Sequence, residues 1–199
     1  MTEFHIVNSN DLVPGAEAPP PEFSLRAPPA TDVWSKPPST NAFNAPIFYQ
    51  SISLNSFKRA RVAVAAQWTQ KYDQGGLIIV LNNVDGSQKW VKTGIELTND
   101  KPHLNVVAKD RWADWSLLPV PSGGKSATLE LVREADNSLW IYLVEGVQKK
   151  PIREVTWIFE ETNVQETWVG VYAARPSTEG GELIVHFGHL IIESVGGKE

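Results

Sequence analysis

The 199-residue chain reads as an all-β protein, a jelly-roll sandwich of two antiparallel sheets. Three observations predict it. Short apolar runs follow one another after Pro46 at spacings of roughly ten residues, with turn chemistry between them. Those runs alternate with period two or are apolar throughout, and no helical spacing survives beyond two turns. No fixed-period repeat is present, which favours two packed sheets over a propeller or solenoid.

The first stretch is proline-dense. Residues 1–46 include Pro19-Pro20-Pro21, Pro28-Pro29 and Pro37-Pro38, which deny donors to any central strand or helix. Phe23, Leu25, Trp34 and Phe43 give the same stretch more apolar surface than a free linker carries, so it is expected to lie extended along the sandwich. Residues 1 to about 20 are expected to be loose, because termini with few apolar anchors seldom order. Residues 47–199 form the sandwich domain itself in this reading.

Within that domain, residues 62–66, 77–81, 139–143 and 168–172 are apolar at both alternating positions, as expected of central strands covered on both sides. Asp85-Gly86 marks a hairpin turn after the second of these runs. The next strand places Val91, Thr93, Ile95 and Leu97 on one side and Trp90, Lys92, Gly94 and Glu96 on the other. Turns follow at Asn99-Asp100-Lys101-Pro102, Ser122-Gly123-Gly124, Asp136-Asn137 and Gly180-Gly181. Asp114-Trp115-Ser116 reads as an aromatic loop or the start of a strand. The closing run, residues 182–193, is long and β-branched and is expected to pair deep in a sheet, with His189 and Ile191 on the side of Leu183, Val185 and Phe187.

Composition removes several function classes. A net charge of −5 opposes phosphate-backbone binding, which needs basic patches; the one basic cluster, Lys58-Arg59-Arg61, reads as a solvated strand edge. The absence of cysteine removes disulfides, thiolate metal sites and cysteine nucleophiles. No apolar run is long enough to span a bilayer and the N-terminus lacks a signal-peptide pattern, so a cytoplasmic protein without membrane or nucleic-acid partners is expected. There is no nucleophile elbow. Gly123-Gly124-Lys125-Ser126 lacks the spacing of a phosphate loop, and no cofactor motif is present. His186 and His189, three apart on one strand, face opposite sides rather than one metal, and a satisfied buried histidine is the plainer expectation.

Four motifs in order, Tyr72-Asp73-Gln74-Gly75-Gly76-Leu77, Trp90-x-Lys92-x-Gly94-x-Glu96, Lys101-Pro102-His103-Leu104 and Asp114-Trp115-Ser116, resemble the regulation-of-enolase-type β-sandwich proteins. The upstream residues from Ala27 to Pro38, with Asn44-Ala45-Pro46, resemble the additional N-terminal segment of fungal members. The resemblance implies a fold like that of concanavalin A-like lectins and glucanases, with one concave face. It also implies a cytosolic regulatory role linked to carbohydrate metabolism.

Sugar recognition combines an aromatic platform with carboxylate and amide groups. Asp73, Gln74, Trp90, Lys92 and Glu96 offer that mixture on two neighbouring strands, with His103 and Trp115 close by. The expected ligand is a carbohydrate or another small polar molecule. In a plainer reading, Lys92 and Glu96 form a surface pair and the tryptophans are core anchors. An enzymatic alternative uses Glu96 and Asp73 as the two carboxylates of a glycosidase, which must stand about 5–5.5 Å or about 6.5–9.5 Å apart. A third reading is a protein-interaction module acting through the proline-rich arm. No catalytic residue is assigned, because the Glu-x-Asp-x-x-Glu string of laminarinase-type enzymes is absent.

Overall fold

A computed structural model describes residues 3–9 and 18–195. Its strands are numbered β1 to β15 along the chain. The larger sheet orders β1 (Phe4–Val7), β5 (Ile47–Ile52), β14 (Val164–Ala174), β7 (Gln74–Asn83), β8 (Gln88–Thr98), β9 (Lys101–Lys109) and β10 (Ala113–Pro119) side by side. The smaller orders β13 (Gln148–Val155), β12 (Leu139–Glu145), β11 (Ser126–Arg133), β6 (Phe57–Ala66), β15 (Leu183–Ser194) and β2 (Glu22–Ala27). A separate two-stranded hairpin joins β3 (Val33–Lys36) to β4 (Thr40–Phe43). All pairings within the two sheets are antiparallel, and the fold is the predicted β-sandwich. No helix among the described residues is long and apolar enough to cross a membrane.

The prolines sit where strands stop. Pro28 and Pro29 follow β2, Pro37 and Pro38 occupy the turn between β3 and β4, and Pro46 precedes β5, all positions that need no ladder donor. The strands that precede them pair widely: β1 with β5 in the larger sheet and β2 with β15 in the smaller. The expectation that residues 1 to about 20 are loose needs correction where they are described: Phe4–Val7 pair with β5, and Phe4 is buried against Phe48, an apolar anchor that holds the strand to the sheet edge, while residues 10–17 lie outside the described residues.

Two hydrophobic layers follow from alternation. Leu77, Ile79 and Leu81 of β7, with Val91 and Ile95 of β8 and Val169 and Val171 of β14, face the smaller sheet and form the main core. Their neighbours on the opposite face, Ile78, Val80, Trp90 and Tyr172, form a second core with Val33 of β3 and Ala45. The hairpin is therefore the cover of the larger sheet's outer face, and β7, β8 and β14 are buried on both sides.

Three sequence expectations about the strands and their side chains need correction. β6 and β12 are covered on one side only: Ala63, Ala65, Trp140 and Tyr142 are half-exposed, because no segment among the described residues covers the smaller sheet's outer face as the hairpin covers the larger's. β15 likewise alternates between buried and exposed positions, and its register shifts between Gly188 and Ile191. His189 carries the bulge with φ of 52°. A bulge reverses the inward phase of a strand, so Leu190 points inward while His189 and Ile191 are exposed. His186 is exposed too, its Nδ1 sharing a 2.9 Å hydrogen bond with Ser24 Oγ, so neither histidine is the buried residue expected.

Candidate functional site

Where the hairpin cover meets the β8–β9 side of the larger sheet, a cavity of about 370 Å³ remains. Its floor comes from the β7–β8 hairpin. Register places Gln74 opposite Glu96 and Ile78 opposite Lys92, so Gln74, Lys92 and Glu96 share the outer face. The β3 segment closes over them and contributes Asp32, Trp34 and Lys36 to the lining.

One buried ammonium organises the floor. Lys92 Nζ donates to Val33 O and to Gln74 Oε1, both at 2.6 Å, and lies 3.8 Å from Asp32 Oδ1. Gln74 Nε2 donates to Asp32 Oδ1 at 3.2 Å, and the backbone N–H of Val33 donates to the same oxygen at 2.8 Å. On the other flank, Asn105 Nδ2 donates to Glu96 Oε2 at 2.8 Å and approaches the Tyr172 hydroxyl at 3.4 Å; that hydroxyl donates to Gln74 Oε1 at 3.3 Å. The network thus fastens the hairpin to the sheet while leaving one side of each charged group toward the cavity.

Three aromatic side chains wall the opening. Trp115 of β10 meets Trp34 edge-on at a centroid distance of 5.9 Å and Tyr72 at 6.0 Å. Tyr72 takes a left-handed φ of 69°, uncommon for a bulky residue and a mark of a position held by its surroundings. Its N–H bonds Leu97 O at 2.7 Å. The holding comes from Asp73, both of whose oxygens bind Arg175, at 2.8 Å from Nε and 2.7 Å from the second guanidinium nitrogen. Asp73 also accepts the N–H groups of Thr69 and Gln70, each at 2.9 Å. Arg175 in turn exchanges backbone bonds with Thr31 and its side-chain hydroxyl, so one buried pair anchors both the Tyr72 loop and the segment carrying Asp32.

Burial dominates the electrostatics. It pushes the carboxyl groups of Asp32 and Glu96 above their ordinary range and the Lys92 ammonium below its own, although Lys92 pulls both acids the other way. Burial also drives the Tyr172 hydroxyl well up, so it is a neutral donor. For Glu96 the sign follows directly. A raised folded value gives a stability contribution that is full below the ordinary 4.5 and is lost as pH rises through that folded value. Burial of Glu96 should make the native Tm fall as pH rises out of the acid range, and Glu96→Gln should remove part of that fall. Parallel Tm–pH curves for the two proteins would refute the assignment.

The structure brings together four of the seven residues expected at the site. Gln74, Lys92, Glu96 and Trp115 line the cavity. Trp90 does not: at 1% exposure it lies in the second core beneath the hairpin, so it is packing and not a platform. Asp73 is fully buried in its pair with Arg175, so the Asp73–Glu96 hydrolase arrangement has lost one of its carboxylates to a structural ion pair. His103 sits opposite Glu96 on β9 but outside the lining, its Nδ1 bonded to Lys101 O at 2.8 Å. Asp114-Trp115-Ser116 lies on an edge strand, where Asp114 pairs with Arg153. Sequence reading missed Asp32, Trp34, Lys36, Tyr72 and the supporting Asn105 and Tyr172. The period-two run Asp32, Trp34, Lys36 was the available signal. Among the described residues, no group of three or more acidic or histidine side chains is placed to hold a metal ion.

A model of the family described as "Protein of unknown function (DUF1349)" matches residues 16–194. An uncharacterized protein of Emericella nidulans is 67% identical over 193 residues, covering 97% of this chain and 96% of its own. Among solved structures, a functionally unknown protein from Saccharomyces cerevisiae has a TM-score of 0.76 at 20% identity, covering 98% of this chain and 97% of that one. The GH43 protein BlXynB from Bacillus licheniformis has a TM-score of 0.63 at 13% identity, over 87% of this chain and 33% of its own. A pseudo beta-1,3-glucanase of Mycobacterium tuberculosis has a TM-score of 0.56 at 9% identity, over 96% and 91%. At these identities the structural likenesses show the fold alone.

Proposed function

This chain belongs to the family described as a protein of unknown function, DUF1349, and on that footing we propose that it is a non-enzymatic binding protein whose cavity takes a carbohydrate ring. The observation that supports this is the conjunction of three aromatic walls with a floor of carboxylates, amide and ammonium in one cavity of about 370 Å³. That volume lies near the small end of the ~300–1,000 Å³ typical of ligand sites, which favours one or two sugar units over a long chain. Aromatic faces take the apolar face of a sugar ring, while Asp32, Glu96, Gln74 and Lys92 supply acceptors and donors for its hydroxyls.

Trp115 is the residue to test. It lies half-buried on an edge strand, so Trp115→Ala should leave the fold intact while removing one wall. Loss of stacking and contact area should weaken a bound monosaccharide by about tenfold or more, read by calorimetry. A native protein that binds no sugar at millimolar concentration would end the reading.

The setting we propose is a cytosolic regulatory one in carbohydrate metabolism, the role implied by likeness to regulation-of-enolase-type proteins. Enolase activity and abundance that are the same in cells with and without the protein would remove it.

A further inference from the structure

We propose that the ring carries a free ammonium group, so that the cavity selects a hexosamine over neutral or acidic sugars. The inference rests on the carbohydrate reading and names the class within it.

Count the charges that line the cavity. Asp32 and Glu96 are acidic, Lys92 is basic, and Lys36 stands exposed at the rim. Lys92 is already committed, since two of its three N–H bonds go to Val33 O and Gln74 Oε1 and Asp32 lies near the group. The acids are only partly used. Asp32 Oδ1 serves Val33 and Gln74, and Glu96 takes Asn105 Nδ2 on Oε2 and faces the Trp115 side chain as well, while Asp32 Oδ2 has no hydrogen bond among the described residues. Glu96 is 5% exposed, so little water screens its carboxyl.

An occupant that offers donors and positive charge meets both needs. An ammonium group has three donors and no acceptor, and the faces of Trp34, Tyr72 and Trp115 attract cations through their quadrupoles. The carboxyls are held up by burial, an excess of desolvated negative character that a bound cation relieves. A sugar phosphate or uronate would instead bring a third negative group beside Asp32 and Glu96. Trp115 Nε1 is buried and reaches only toward the Glu96 carboxyl without closing a well-formed hydrogen bond, so a ring hydroxyl can share that donor.

Calorimetry on the full chain with glucosamine, glucose, N-acetylglucosamine, glucuronate and choline separates the cases. Glucosamine should bind about tenfold or more tightly than glucose, with N-acetylglucosamine near glucose and glucuronate weakest. Its affinity should fall with added salt while that of glucose does not. In Glu96→Gln and Asp32→Asn the glucosamine-to-glucose ratio should collapse toward one. Equal binding of glucosamine and glucose overturns this inference and leaves the carbohydrate reading standing. Tight choline binding with both sugars silent, or no binding by any of the five, overturns both.

Discussion

Asp73→Asn should destabilise the protein by about 3–5 kcal/mol, the range for stranding one member of a buried ion pair. Asp73 is fully buried and Arg175 is 4% exposed, so the guanidinium left behind would face an amide in a place where water cannot reach it. The substitution also degrades the acceptor for the N–H groups of Thr69 and Gln70. For a chain of this length the fall in Tm should be roughly 6–20 °C, read by thermal melts and checked by urea unfolding. Pairing Asp73→Leu with Arg175→Met should recover part of the loss, because neither charge is then stranded. An Asp73→Asn protein within about 1 kcal/mol of native would show that the pair is not the anchor described, since breaking a true buried pair costs several times that.

The consequence reaches the cavity. Arg175 holds the loop that carries Tyr72 and, through Thr31, the segment that carries Asp32. Asp73 was expected to touch ligand; it instead sets where two lining residues stand. Weaker sugar binding in Asp73→Asn would thus come from displaced walls and not from a lost contact.

The strand-level fold was legible because its signals are local. The alternation over β8 and the Asp85-Gly86 turn place Gln74 beside Glu96 without any knowledge of the rest of the chain. What alternation cannot show is what lies on top of a face. Trp90, Lys92 and Glu96 share one side of β8, yet Trp90 is sealed and the other two line a cavity, because the β3–β4 hairpin covers one end and not the other. That cover comes from residues 59 positions before Lys92, as the bond to Val33 O records. The partner of Asp73 is 102 positions away. Such contacts are set by tertiary packing, and a single sequence carries no period that announces them. The bulge at His189 escaped for a different reason: one extra residue flips the phase of β15 with no more local marker than Gly188.

Gly94→Ala should destabilise the chain by more than about 3 kcal/mol, beyond the usual cost of overfilling a core, because the obstacle is backbone. Gly94 faces Gly76 across the β7–β8 ladder, between the Gln74–Glu96 and Ile78–Lys92 pairs. A Cβ at Gly94 would lie 2.0 Å from Gly75 O and 2.9 Å from the Gly76 Cα; one at Gly76 would lie 2.0 Å from Thr93 O. No rotamer relieves a clash with a main-chain oxygen, so the two strands must separate at the floor of the cavity. Tm should drop by roughly 6 °C or more. Gly181→Ala is the matched control, since a Cβ there meets nothing within 4 Å, and it should stay within about 0.5 kcal/mol of native. If both variants melt together, the close approach of β7 and β8 is not a constraint the fold depends on. If Gly94→Ala alone falls, the glycine pair is what lets the two strands meet closely enough to hold Gln74, Lys92 and Glu96 in one network.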